Sequence, residues 1–430
     1  MTIEEILAMP EVERKIYYLK KGRKTEQPNA HALYNDWNPN KHEIVIDEEK
    51  YPKIKITTQP EKRITDPKTG KEYVEPAVRK EVDPNRIALP IEQDIVNIQT
   101  AFTVGTEPVL DCQPDESEES LLSTLKQVFK KNKLKYQNKK VVRAWLAEQE
   151  VAEYWYVVKD DGFWAKLKRK ISGIFGKSKP EYRLKSAIWS PFRGDKLYPF
   201  FNDQWDLVAL SREYKKKDLN DVEITCFMTI TKDMVYQWEL TSNWTDKGSF
   251  AHGFKKMPVI YMYRPEAYCE KIKSLRVRLE KLLSNYADCI DYHFFPILML
   301  FGNVENFSGE FKNRVVELTG QGANAQYLTW SQVPDTVKFE VETLLSQIYG
   351  LTNTPRISFD SLKGTGNAVS GVTFDYVFMS THLNVENLNE IVGEFMQRRV
   401  NFLVSALGSV NSTLEEASET IDVDVQMQPY

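Results

Sequence analysis

The chain has 430 residues, 42% of them hydrophobic and 27% charged. That length supports two or three packed units, each with its own core, and the composition excludes a disordered or collagen-like chain. With 57 Lys plus Arg against 61 Asp plus Glu, the formal net charge is −4; this argues against a tight nucleic-acid clamp, because phosphate neutralisation supplies most non-specific affinity.

No apolar run reaches bilayer-spanning length and the opening MTIEEILAMPEVERK has no signal-peptide core, so the expectation is a soluble protein made inside the cell. Cys112, Cys226, Cys269 and Cys289 are scattered with no CxxC spacing, which suits reduced thiols rather than a disulfide framework. Residues 1–84 are polar and rich in charge and proline. Ile3–Leu19 reads as one helix, and HEIVIDEEKYPKIKITTQ as short strands and turns. Ile91, Ile95, Ile98 and Phe102 share a face of a helix over Ile87–Phe102. Asp115 and Glu118 form a capping box for a helix over Leu121–Asn132. Gln137–Ala147 predicts another helix, and EYWYVV a strand.

Residues 162–180 are basic and amphipathic. Phe163, Trp164, Leu167, Ile171, Ile174 and Phe175 fall near one helical face, with Lys166, Lys168, Arg169, Lys170 and Lys177 on the rest. An insertion at a hairpin tip, packed on its own domain, accounts for this pattern. A partner surface or a membrane surface remain the alternatives. LKSAIWS, WDLVALSREY, VEITCFMTIT, MVYQWELT and PVIYMYR then alternate and are rich in aromatics, as in one antiparallel sheet of four or five strands.

From Pro265 the pattern turns helical. Tyr268, Ile272, Leu275, Leu279, Leu282, Tyr286 and Cys289 recur at steps of three and four, the seam spacing of packed helices, and the helix ends before Pro296. Lys271, Lys273, Arg276, Arg278 and Lys281 form a basic flank, read first as a solvated face. PILMLFGNV, RVVEL and Gln326–Trp330 predict three short strands, with a turn at Gly320, Gly322 and Asn324. Asp335 starts a second helix through Val337, Val341, Leu344, Leu345 and Ile348, which Gly350 and Pro355 end. RISFDSLKGTGNAVSG is a glycine-containing loop, and a third helix runs from Thr373 to about Leu407. The acidic Glu415–Asp424 leads into a strand-like DVDVQMQ.

No catalytic constellation stands out. There is no Walker motif, HExxH, GxSxG or Cys/His pairing, and GTGNAVSG departs from GxGxxG because Val369 replaces the last glycine. His31, His42, His252, His293 and His382 are isolated in sequence.

The order of these parts resembles the portal protein family of tailed bacteriophages. MPVIYMYRP before a long amphipathic helix is similar to the approach to that family's first stem helix, and PILMLFGN to the entry of its clip. VPDTVKFEVETLLSQIYGLTNTPRIS resembles the second stem helix, and GTGNAVSGVTFDYVF the channel loop with the start of the long helix. PIEQDIVNIQTAFTVGTEPV and the stretch from Ser120 to Val158 resemble the wing; the likeness spans roughly residues 85–425.

The resemblance implies an α+β, portal-like fold. Its parts would be a mixed helix and antiparallel-sheet wing (1–264), two stem helices (265–293 and 335–352), a small strand-containing clip (294–334), a channel loop (353–371), and a long helix leading into a short or truncated helical crown (372–430). It also implies a homo-oligomeric ring of twelve copies, located at a capsid vertex of the virion after assembly in the host cytoplasm. Double-stranded DNA would pass through, and a net charge of −4 suits a channel that must not grip it. Lys363, Gly364, Thr365, Gly366, Asn367 and Ser370 would face the DNA, the basic flank would face neighbouring subunits or phosphates, and Glu305, Glu310, Lys312 and Arg314 would mark the docking end. Partners would be the terminase large subunit, a head-tail adaptor protein, and the major capsid and scaffolding proteins, with no catalysis, cofactor, metal or small-molecule substrate. Two other functions stay open: a nucleotide-binding enzyme using Gly364–Gly371, and a peripheral membrane protein using residues 163–175.

Overall fold

The computed structural model of the protein describes residues 1–59, 61–65, 70, 72–159, 182–293, 297–307, 316–328, 334–356 and 371–428. At the start, α1 (Ile3–Leu7) and α2 (Val12–Lys21) replace the single helix expected over Ile3–Leu19, because Pro10 lies between them. Thr2 caps α1 through a reciprocal box with Glu5. α3 (Ala30–Trp37) and the single turn α4 (Glu43–Ile46) come next, so HEIVIDEEKYPKIKITTQ opens as a helical turn and only its end is strand. β1 (Ile54–Gln59), β2 (Lys62–Thr65), β3 (Glu72–Glu75) and β4 (Val78–Val82) form two small antiparallel pairs, β1 with β4 and β2 with β3.

α5 (Ile91–Val104) begins directly after Pro90 and leads to β5 (Val109–Asp111). The expected capping box precedes α6 (Glu119–Asn132): Glu118 N–H donates to Asp115 Oδ1 at 3.1 Å, and Asp115 N–H to Glu118 Oε2 at 3.2 Å. Lys133, at a left-handed φ of 53°, turns the chain into α7 (Leu134–Glu148). The strands that follow are β6 (Glu150–Lys159), β7 (Tyr182–Trp189), β8 (Lys196–Phe201), β9 (Leu207–Lys217), β10 (Glu223–Thr231), β11 (Met234–Leu240), β12 (Trp244–Ala251) and β13 (Val259–Tyr263). The insertion 162–180 lies outside the described residues.

Then come α8 (Lys273–His293), β14 (Ile297–Phe307), β15 (Val316–Leu328), α9 (Pro334–Leu351), α10 (Gly371–Val410), α11 (Glu415–Thr420) and β16 (Asp424–Gln426). β14 and β15 make one hairpin rather than three strands. Gly320, Gly322 and Asn324 lie inside β15, where shifts in register, Phe301 opposite Asn324 but Asn303 opposite Thr319, absorb the glycines as bulges. Gly322 takes φ +90°, open to glycine and strained for other residues.

The chain divides into two compact units. One is Met1–Trp37, Ile91–Lys271 and Tyr349–Tyr430; the other is Asn38–Pro90 and Ile272–Ile348. In the first, the aromatic strands expected in one sheet belong to two. β12-β11-β10-β9-β8 is a five-stranded antiparallel sheet, while LKSAIWS and PVIYMYR flank EYWYVV in a second sheet of order β13-β6-β7. Pro199 sits in β8, an edge strand, where the missing N–H leaves no ladder bond unmade on the open side.

Alternation along these strands feeds two cores. Leu197, Leu210, Met228 and Val235 point to the second sheet and pack with Ala152, Trp189, Val259 and Tyr261. Their neighbours Tyr198, Ala209 and Phe227, with Trp238, point the other way and are covered by Ile3, Ile6, Ile16 and Leu19 of α1 and α2. Gly22 ends α2 where a Cβ would meet the Phe200 ring at 2.2 Å, so that close approach needs glycine. On the far side of β6, Trp155 meets Phe402 of α10, and buried Arg399 donates to Glu153 Oε2 at 2.6 Å.

Candidate functional site: the paired helices and the loop entry

Within the second unit α8 buries a face different from the one its apolar spacing suggests. Ile272, Arg276, Leu279, Glu280 and Ser284 are buried, whereas Leu275, Leu282 and Tyr286 are half-buried and Cys289 is exposed. A buried polar centre explains the rotation. Glu280 Oε1 accepts from His42 Nδ1 at 2.7 Å and from Leu89 N–H at 2.9 Å, and Arg276 lies 3.1 Å from His42 Nε2. Arginine only donates, so Nε2 accepts and the ring proton sits on Nδ1, facing the carboxylate. Ser284 Oγ accepts from Ile87 N–H, and Asp288 from the backbone and side chain of Asn85. His42, at the start of α4, and the extended stretch Asn85–Leu89 therefore dress α8.

The basic flank is accordingly not one surface. Arg276 is 1% exposed and belongs to the core, a correction to its reading as a solvated cation. Arg278 pairs with Glu340 of α9, at 2.8 Å from Nε and 2.6 Å from Nη2. Both partners are partly exposed, so this bridge contributes about 0–1 kcal/mol. Lys271 and Lys281 are exposed, Lys281 standing 5.9 Å from the Tyr51 ring centroid, and Lys273 is half-buried. On α9 Leu344 and Ile348 are buried, and Phe339 is 73% exposed.

Glu305 lies in β14; Glu310, Lys312 and Arg314 lie outside the described residues, as do Lys363, Gly364, Thr365, Gly366, Asn367 and Ser370. Gly371 opens α10, 40 residues and about 60 Å long.

What sequence reasoning missed is how the approach to that loop is held in the first unit. α9 ends at Leu351, and Asn353 takes a left-handed φ of 47° while its N–H donates to Gly350 and that of Thr354 to Tyr349. Fully buried Gln99 of α5 reads this turn with its side-chain amide, donating to Thr352 O, Asn353 O and Thr354 Oγ1 at 3.0–3.1 Å. Its carbonyl accepts from Asn384 of α10, which also donates to the Tyr268 hydroxyl; that hydroxyl donates to Thr352 O at 2.6 Å. Thr381 adds a bond to Asn353 O. Burial pushes the Tyr268 hydroxyl well above the usual phenol range, so it stays a donor. Tyr349, bonded to Asp94, is pushed up to about 12 by burial and then by that carboxylate. The polar residues Glu92, Gln99, Thr100 and Thr103 among the buried positions of α5 were the one signal the sequence carried of this hub.

Among the described residues no group of three or more His, Cys, Asp or Glu is placed to hold a metal, no helix is long and apolar enough to cross a membrane, and the four cysteines are free.

No curated protein matches the chain. A solved structure, described as a virion of a native gene transfer agent particle, aligns with 79% of this chain and 80% of that one, at 9% sequence identity and a TM-score of 0.40. The family model described as phage portal protein, SPP1 Gp6-like, matches residues 40–429. That match takes in both units and the whole succession from α5 to β16, and the chain belongs to this family of phage portal proteins.

Proposed function

We propose that this chain is the repeating subunit of a ring at a capsid vertex, through which double-stranded DNA is packaged and later ejected. The observation that carries the reading is the family match over residues 40–429, together with the order helix, hairpin, helix, loop entry and long helix in the fold. In this reading α8 and α9 are the stem, β14 and β15 the clip, residues 353–371 the channel loop, and the sheets with α5–α7 the wing. The half-buried stripe Leu275, Leu282 and Tyr286 is apolar surface for a neighbouring subunit to cover. Exposed Lys271 and Lys281 supply sequence-independent, salt-sensitive attraction to phosphates or to a neighbour. Glu305, Glu310, Lys312 and Arg314 mark the docking end for terminase and then for the head-tail adaptor, and the outer wing meets capsid and scaffolding proteins. The ring catalyses nothing; a separate motor supplies ATP hydrolysis.

Mass in solution tests this directly. Twelve copies of the 50.0 kDa chain close into an assembly of about 600 kDa. Light scattering or native mass spectrometry should find a closed ring in that range, and a strictly monomeric chain at all concentrations and salts would refute the reading.

A further inference from the structure

The corner between α6 and α7 holds a groove of ≈ 570 Å³ that no part of the proposed ring mechanism uses. Lys126, Lys130, Lys133 and Lys135 line it and are all exposed. Several other surface lysines of this unit are neutralised: Lys215 pairs with Glu223, Lys216 with Glu239, and Lys255 with Glu415 and Glu419. None of the four groove lysines forms an ion pair with a carboxylate among the described residues, although Glu107 also lines the groove. Lys133 sits left-handed between the two helices, and Lys130 lies in the last turn of α6, where a cation suits the helix dipole.

Besides Glu107 and the buried Asn138, the rest of the lining is apolar or aromatic. Pro108, Leu110, Phe129 and Leu134 contribute to it, and Tyr136, 63% exposed, stands at its side. β5 enters the lining through Val109 and Leu110, and among the described residues it is paired along one edge alone, by β16. A short strand with one open edge accepts an added strand through backbone hydrogen bonds, with alternate side chains entering apolar pockets.

We propose that this groove is a docking site for an extended acidic segment of a partner protein, one that alternates Asp or Glu with aliphatic residues. Unpaired cations supply complementarity and steer encounter, and the apolar floor supplies the selection that charge alone lacks. Nucleic acid fits less well, because phosphates would use the lysines and leave the floor uncovered.

The probe is a short fluorescent peptide alternating Glu or Asp with Leu or Val, titrated with the full-length chain and read by anisotropy. Saturable binding is expected, weakened roughly tenfold or more by combined Lys130→Glu, Lys133→Glu and Lys135→Glu. The milder Lys→Gln set at the same positions should weaken it less, with an unchanged melting temperature showing an intact fold. An all-Glu peptide of equal length and a duplex DNA should each bind far more weakly than the alternating peptide. Absence of saturable binding overturns the proposal. So does binding of all-Glu peptide or DNA as tight as that of the alternating peptide, which would make the corner a general polyanion surface.

Discussion

Glu148 closes α7 with its carboxylate almost wholly out of water, accepting the Phe192 N–H at 2.7 Å. Burial is the main cause that pushes its pKa up to about 7, partly offset by that N–H, by Ser190 and by Arg193. A carboxyl whose folded pKa exceeds its unfolded one binds its proton more tightly when folded. Its ionisation therefore removes stability as pH rises from about 4.5 to about 7, and the loss is complete above that window. Glu148→Gln keeps an acceptor for Phe192 N–H without the charge. We expect it to stabilise the protein by about 1–3 kcal/mol near pH 8 and by much less near pH 5, measured by urea unfolding. An equal gain at both values would mean that ionisation of Glu148 is not what strains the site. Nothing in the sequence around Glu148 announced this. Its environment is made by Ser190–Asp195, more than forty residues on, and side-chain chemistry of that kind becomes visible only when the chain has folded.

At the scale of single elements, helical period was legible and facing was not. α5, α9 and α10 fall where their apolar spacing puts them, and the Asp115–Glu118 box forms as read. α8 has the expected course but turns its Arg276–Glu280–Ser284 side inward, because His42 and the 85–89 stretch bring polar partners to it. Apolar spacing cannot reveal a face that is buried through hydrogen bonds. Strand pairing was equally hidden: β6, β7 and β13 read like the other aromatic runs, yet pair among themselves. The assignment of Arg276 to the core has a direct consequence. Arg276→Ala removes a buried side chain together with its hydrogen bond to His42 Nε2 and should lower stability by about 2–4 kcal/mol. Lys281→Ala, on the exposed side of the same helix, should change it by less than about 0.5 kcal/mol. Denaturant unfolding of the two variants checks the pair; equal effects would return Arg276 to the surface.

For the whole molecule, the proposed channel depends on a loop whose near end is fixed by the Gln99 hub. Under that proposal, combined Lys363→Glu, Thr365→Glu and Asn367→Glu should leave ring formation intact, since the hub and stem are untouched. Added negative charge facing DNA should reduce packaged DNA, measured as DNA per particle. Normally filled particles would remove the loop from any constriction. The family was readable because the order of helices and strands along the chain was. The division into units was not, because each unit is assembled from separated stretches, three in one and two in the other. That discontinuity also sets a timetable for birth on the ribosome. α1 and α2 emerge with Ile3, Ile6, Ile16 and Leu19 already made, but the strand face that covers them is finished only with Trp238. At roughly 5–20 residues per second, those apolar side chains wait about 10–40 seconds for their partner surface. The first helices made are thus sheltered only once a distant strand face is complete, and a nascent chain halted before β11 would present them to whatever chaperone or neighbour is at hand.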